Sequence, residues 1–596
     1  MTDAKGEVTT YNYNSTGDLT SIVYPEVEQS DLSTQTASES FTYDSAGRVL
    51  TATNAETNVT TYTYGDATTG LVTAIARPGG GSSETFAYNT LGVLTSHTLP
   101  AGGTTTYTLD GLYRVDHRTD PGLSDYVDHD YDEDSNLTQV TDADAKVTKH
   151  TYDKLGRRTE SIAGYGTSDA ATSSWIYDLE GNVRKMKDPE GTAGSYFNTK
   201  ALYDPLSRVK ESQVDGSTSS TTVTHTATTK YDLNGNVIEE IQQPGTGQRK
   251  TEHSYDARNN RLRTIHPITT LEDLVSYDDS DNVVVTQRRQ SSLFVSGTGN
   301  EYDQRNRLKA TTQLEADPGP APSAFVGPRT KFIYNKNSSR TKTIDPLENT
   351  TETIYDARER VSQIKDAKGT IVSEITYTSN DLRYLVKILS PVTTTLITSQ
   401  EFTYNARNLV TIQEDAFGNE TTFGYDDNGN LTSRTDPAGA VVSYAYDNLN
   451  RMTSETVDSS GLNIVTTYEY YKDGNRKKIV VYNPASGSNN AEYEFTYDHA
   501  GRMIEMISPL NSTLGPEKWE YDSFGQLSKH TDRNAKEATY SYDDLGRQTN
   551  EVHGTPFTKT ITRVYDGASN LTQIDDGTVK VDYLYDALNR QIFASW

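Results

Sequence analysis

The chain has 596 residues, a formal charge of −28 and no cysteine. The missing thiols exclude disulfides, thiolate nucleophiles and cysteine metal sites, and leave the redox compartment open. The negative charge argues against a nucleic-acid partner, which requires a cationic face to release counterions from phosphates.

Apolar residues make up 33% of the chain, and 40 Tyr stand against 13 Phe. With Thr, Ser, Asn, Asp and Gly abundant, this balance starves helices and suits strands joined by polar turns, so the predicted fold class is all-β. No run approaches the ~20 apolar residues of a membrane-spanning helix. The N-terminus, MTDAKGEVTTYNYNSTGDL, has neither the basic start nor the apolar core of a signal peptide, and reads as the start of a fragment inside a repeat.

Along the chain one signal dominates, Tyr-Asp-x-x-Gly-Arg-apolar, at intervals of about 20 to 28 residues. Good copies begin at Tyr43, Tyr152, Tyr177, Tyr231, Tyr425, Tyr497 and Tyr542. Weaker ones, such as those at Tyr13, Tyr64, Tyr88, Tyr131, Tyr203, Tyr255, Tyr277, Tyr302, Tyr334, Tyr355, Tyr377, Tyr404, Tyr446, Tyr471, Tyr521, Tyr565 and Tyr585, fill the gaps, and Leu109 replaces the aromatic once. The whole chain, 1–596, thus reads as one continuous array of about twenty-five hairpin repeats with no dividing linker.

Each residue of the motif has a local reason. The Asp accepts a hydrogen bond from the backbone two residues on and starts a turn, and the Gly takes the positive φ that ends it. This assigns turn roles to Asp44 and Gly47, Asp153 and Gly156, Asp178 and Gly181, Asp232 and Gly235, Asp426 and Gly429, Asp498 and Gly501, and Asp543 and Gly546. Asn259, Asn306, Asn408, Asn450 and Asn589 fill the Gly position elsewhere, as the next most tolerant residue of a left-handed conformation. Two residues before the Tyr another aromatic often stands, as in Phe41/Tyr43 and Trp519/Tyr521, which places both rings on one strand face. Tyr43, Tyr152, Tyr177, Tyr231, Tyr425, Tyr446, Tyr497, Tyr521 and Tyr542 are therefore expected to form an aromatic ladder, ring stacked on ring between repeats.

A second turn signal lies between the tyrosines: DAKG at Asp3, DADAK at Asp142, DPEG at Asp188, DAKG at Asp366, DAFGN at Asp415, DPAGA at Asp436 and DRNAK at Asp532. It marks the opposite hairpin end, with strands of about eight residues between. The Pro-rich insertion at 317–328 is expected to be an exposed loop. Gly79 to Gly81 and Gly297/Gly299 lack the rest of a phosphate-binding fingerprint and read as turns.

The Tyr-Asp-x-x-Gly-Arg copies resemble the YD repeats of the Rhs family, which includes bacterial polymorphic toxins, the BC component of insecticidal toxin complexes and the teneurins. The resemblance covers almost the whole chain. It implies a sheet that spirals into a hollow shell, a secreted or cell-surface location, and a toxin or effector polypeptide, or a further Rhs shell segment, as partner. The Asp-Pro-x-Gly-rich closing segment and the C-terminal toxin domain of full-length members have no counterpart, and the chain stops inside a repeat at YDALNRQIFASW. No protease or toxin residue is carried over. Taking fifty strands at ~4.8 Å gives roughly 240 Å of contour, little more than one turn of a cylinder ~60 Å across, and hence an open band or partial shell.

No cofactor, catalytic residue or metal ligand set emerges. Asp130, Asp132 and Asp134 are spaced like the start of a calcium loop, but the loop Gly is missing, Thr141 stands where the closing Glu belongs, and the YD register already explains Asp132. The histidines show no ligand spacing. The expected function is a non-catalytic structural shell; a glycan- or cell-surface-binding module and a polysaccharide-active enzyme with a non-contiguous site are the alternatives.

Overall fold

The computed structural model describes residues 1–596 except 66–69, 190–198, 216, 218–223, 244–246, 269, 320–323, 459–462, 483–489, 510–513 and 556–557. Among the described residues there is no helix, and so none long and apolar enough to cross a membrane. Fifty strands form one antiparallel sheet, each pairing with its neighbours in sequence. A two-stranded hairpin, Val27–Glu28 with Thr34–Gln35, stands apart from it.

One repeat shows how the sequence builds the sheet. Ser38–Tyr43 pairs with Val49–Thr53, which pairs with Val59–Tyr64. At the tyrosine end Gly47 N–H donates to Asp44 O and Asp44 N–H to Arg48 O, with Gly47 at φ +77°. This is a three-residue loop closed by a left-handed residue. At the other end Thr57 N–H donates to Asn54 O, Asn54 N–H to Asn58 O, and Thr57 stands at φ +68°. Both turns take five residues, so the strands are five and six residues long here rather than about eight.

The two ends differ in one respect. Beside the tyrosine turn the register slips by one residue, Thr42 facing Thr51 but Tyr43 facing Val49. The same bulge recurs at the tyrosine turns along the chain, for example at Tyr152, Tyr355 and Tyr542. A bulge increases local twist and bends its strand. Repeated at the tyrosine ends all along the chain, and at the other end only in places such as Arg288/Arg289, Ile364/Lys365 and Ile388/Leu389, it coils the sheet.

The coil closes on itself. Hydrogen bonds join residues 276 to 305 positions apart, from Glu28 with Gln304 to Gln29 with Tyr334. The chain therefore makes about two stacked turns, where the contour estimate expected little more than one. Twenty-three strands separate the turn at Asp142 from the one at Asn428 that touches it. At ~4.8 Å per strand this is about 110 Å of perimeter, a circle about 35 Å across. The bulges curve the sheet more tightly than a cylinder ~60 Å wide would require.

No described strand contacts any strand but its ladder neighbours, so the wall is one layer thick. Only twelve described apolar side chains are buried. The accessible surface is 32452 Å², against roughly 21,000 Å² for a compact monomer of this mass. The excess is what a hollow tube presents.

The densest burial lies beside the Pro-rich insertion. Residues 320–323 of that segment lie outside the described residues; of the rest, Asp317, Ala324 and Val326 are exposed, but Glu315 N–H donates to Val326 O and the Phe325 ring folds back on the sheet. Gly297 and Gly299 are not turn residues: they lie inside the strand Leu293–Tyr302. A Cβ on Gly299 would stand 2.4 Å from the Phe325 ring, so glycine makes room for that ring rather than for a bend.

Candidate functional site

The motif proves to be a lock between successive repeats. Asp44 accepts Ala46 N–H and Arg48 N–H on one carboxylate oxygen and the Arg48 Nε–H on the other. These bonds, the backbone bond from Arg48 foremost, hold its pKa below the usual carboxylate value. The guanidinium so fixed lies 4.6 Å from the ring centre of Tyr64, the tyrosine of the next repeat. Tyr64 in turn donates its hydroxyl hydrogen to Val49 O, one residue after that arginine.

Other repeats reuse these parts. Asp153, Asp498 and Asp543 bind Arg157, Arg502 and Arg547, whose guanidinium groups cover Tyr177, Tyr521 and Tyr565. Where Asn replaces Arg, Asp178, Asp232 and Asp426 accept from the amides of Asn182, Asn236 and Asn430. Gly156, Gly181, Gly235, Gly429, Gly501 and Gly546 have φ between +73° and +95°, and Asn259 and Asn450 take the same role at +68° and +60°.

The tyrosines connect repeats differently from a stack of rings. Tyr43, Tyr152, Tyr177, Tyr231, Tyr425, Tyr446, Tyr521 and Tyr542 donate to the carbonyls of Leu19, Leu137, Arg158, Val209, Val410, Leu431, Met503 and Leu527. Tyr497 instead meets Tyr471 edge-on, with ring centres 6.2 Å apart. Successive tyrosines lie two strands apart, ~9.6 Å, beyond the 4.5–7 Å reach of ring stacking, and the intervening arginine fills the gap. The sequence register also shifts at one repeat. Tyr470, not Tyr471, is the motif tyrosine, donating to Met452 O beneath Arg451, and Tyr471 occupies the turn-opening position of the aspartate.

A second constellation has no sequence motif at all. Where the two turns of the spiral meet, the non-tyrosine hairpin ends of the first half abut the tyrosine ends of the second. Lys5 pairs with Asp278 at 2.8 Å, and Asp142 and Lys146 bond Asn428 and Asn450. Arg358 donates to Pro78 O and Gly80 O, His225 to Ser523 O, and Arg249 to Asp543 O. Within this seam Asp144 is pushed above the usual carboxylate value by burial and by facing Asp426.

The calcium-like spacing dissolves into the fold: Asp132 opens its turn by accepting Asn136 N–H, and Asp130 accepts from Gln139 on the facing strand. One grouping escaped the sequence. Asp116, His117 and Asp128 bring one ligand-type atom each within 4.8 Å of one another, because His117 and Asp128 are cross-strand partners; the register across the intervening turn was the missing signal.

Sheet, locked turn and seam make a one-layer coil of antiparallel hairpin repeats, and the models of two repeat families match parts of it. The RHS Repeat family model matches residues 404–441, 425–462 and 521–556, and the Teneurin YD-shell model matches residues 33–180. No curated protein matches the chain. Among solved structures, the crystal structure of TcdB2-TccC3-TEV is similar over 97% of this chain at 13% identity, with a TM-score of 0.63. A mutant Tc holotoxin pore of Photorhabdus luminescens is similar over 95% at 14% identity, with a TM-score of 0.61. The chain spans about a third of those chains, 34% and 32%. These likenesses give the fold: one long antiparallel sheet of the Tc toxin shell type.

Proposed function

We propose that this chain is a non-catalytic segment of hollow shell that encloses or presents a partner polypeptide, a toxin component being the partner class that the similar Tc structures suggest. The observation that carries this reading is the single-layer wall, whose 32452 Å² of surface exceeds a compact fold's by about half. Allowing ~5 Å per wall for inward side chains, half the spacing of packed sheets, leaves a lumen about 25 Å wide. A folded 100-residue domain, with a radius of gyration of about 13 Å, is over ~30 Å across, so the partner is held extended or loosely folded. A secreted or cell-surface location belongs to the same proposal.

Two features support this reading over the alternatives. The motif tyrosines spend their hydroxyls on backbone carbonyls, which leaves them poor platforms for a glycan. A cleft lined by Tyr62, Arg77, Arg358, Arg360 and Asp381 uses Arg358 on seam carbonyls and Arg360 on Asp356 and Asp381, so these two arginines are already engaged.

The test is to append an unstructured, protease-sensitive polypeptide after Trp596 and time its digestion. Cleavage much slower than that of the same polypeptide added free in solution is expected. Equal rates would overturn enclosure.

A further inference from the structure

The tube has two open rims, and one carries a row of leucines. Leu91, Leu112, Leu155, Leu179, Leu206 and Leu233 stand 61% to 103% exposed, each in a central position of a tyrosine turn in the first half of the chain. An apolar row of this kind on a soluble surface marks an interaction site.

The second half shows what such positions do when occupied. Leu449, Phe524 and Leu545 fill there the turn position that Leu91, Leu112, Leu155 and Leu206 fill in the first half, and all three are half-buried. The Leu449 side chain reaches within 3.2 Å of where a Cβ would stand on Gly164. Arg249 covers the Phe524 ring at 4.0 Å, and Leu545 borders a cleft with Thr228, Ile241 and Pro267. Each neighbour belongs to a non-tyrosine hairpin end or its flanking strand one turn earlier. The opposite open rim consists of such ends, and it too is apolar, with Leu347, Val392 and Phe417 82% to 88% exposed.

We infer that the leucine rim is the receiving half of an inter-turn seam, and that its occupant is the non-tyrosine rim of a second copy of this chain, stacked head to tail. The occupant follows from continuity with the internal seam, which joins the same two kinds of end, and from the apolar character of both free rims. The internal seam also sets the register. Carrying its separation of 276 to 305 residues from Phe417 past Trp596 into a copy that continues the spiral reaches one tyrosine turn, that of Leu112; from Val392 it reaches that of Leu91. Such a contact is heterologous, so it propagates rather than closing at a dimer. With −28 charges on each copy, it strengthens as salt screens the repulsion.

The absence of cysteine allows a clean test. Leu112→Cys and Phe417→Cys proteins, both altered at exposed positions, are mixed in equal amounts, oxidised gently at moderate salt and resolved by mass. The expected result is a mixed Leu112→Cys/Phe417→Cys dimer several-fold in excess of either homodimer, alongside salt-dependent association of the unmodified chain in sedimentation. A predominance of Leu112→Cys homodimer would overturn head-to-tail stacking in favour of rim-to-rim pairing. Statistical cross-linking, or a monomer at all concentrations, would overturn the inference altogether, while leaving a hollow monomeric shell intact.

Discussion

Arg502 grips Asp498 with two nitrogens, Nε at 2.7 Å and Nη2 at 2.6 Å, and lays the same guanidinium 4.5 Å from the ring centre of Tyr521 in the next repeat. Asp498 is almost wholly buried, its side chain 1% exposed. Removing one partner of such a pair leaves an uncompensated buried charge, at a cost of about 3 kcal/mol or more. Arg502→Ala should therefore lower the urea midpoint sharply, and Arg502→Lys should recover only part of the loss, since an ammonium cannot make the planar fork or cover the ring. Equal midpoints for the Lys variant and the parent would mean that the fork is dispensable.

The tyrosine hydroxyl is the second member of that link. Tyr152→Phe keeps the ring but deletes the bond to Leu137 O at 2.7 Å. The expected cost is about 1 kcal/mol, and because repeat arrays feel mainly nearest-neighbour changes, faster amide exchange should be confined to the repeats around 137–152. Protection lost evenly along the chain would contradict a local lock.

Gly501 separates backbone strain from packing. Its φ is +77°, and a Cβ there would meet only Asn475 Nδ2, at an ordinary 3.5 Å. Gly501→Val should cost about 1–3 kcal/mol through strain alone. Gly501→Asn should cost far less, because Asn450 already occupies this position of its own turn at φ +60°. Thermal melts of the two variants side by side decide it; similar losses would shift the cause from conformation to crowding.

Acid acts on the turns in one direction and on the seam in the other. Asp44, Asp153 and Asp232 have folded pKa values below 3.8 because hydrogen bonds from Arg48, Arg157 and Asn236 favour the ionised form. Their contribution is present above pH 3.8 and is lost as pH falls through the depressed values. Asp144, raised by burial and then by Asp426, has the opposite sign: its stabilisation is complete below pH 3.8 and is lost as pH rises through the folded value. Asp144→Asn should raise the melting temperature at neutral pH and leave it unchanged in acid. A neutral-pH decrease would show that the Asp144 carboxylate is held by its contact with Lys146 at 3.8 Å.

Local grammar was legible in the sequence because its causes are local. Gly47 and Asn259 alternate at one motif position because both tolerate a positive φ, and that substitution pattern announces a turn without any tertiary information. The tyrosine was legible as a strand residue but not as a hydroxyl donor, since its acceptor, such as Val49 O for Tyr64, is a featureless carbonyl 15 residues away. The seam was invisible. Lys5 and Asn306 meet across 301 residues only because a bulge at each tyrosine turn sets the curvature, and curvature has no residue signature of its own. The cross-strand grouping of His117 with Asp128 depends in the same way on a register that composition does not encode.

The seam can be broken without touching a turn motif. Gly103 lies where the first coil meets Ala406 of the second, and a Cβ there would stand 2.4 Å from Ala406 O, a backbone atom that cannot step aside cheaply. Gly103→Ala should therefore part the two coils near the bond from Ala101 N–H to Asn380 Oδ1, while the ladder bonds from Thr104 to Thr98 and from Tyr107 to Arg118 persist. Hydrogen exchange should quicken at Ala101 and at the turn of Asn405 and Asn408, with the strands on either side unchanged, and small-angle scattering should report a longer particle. If exchange at those turns stays slow and the dimensions hold, the two coils do not rest on each other there, and the stacked tube gives way to an open band.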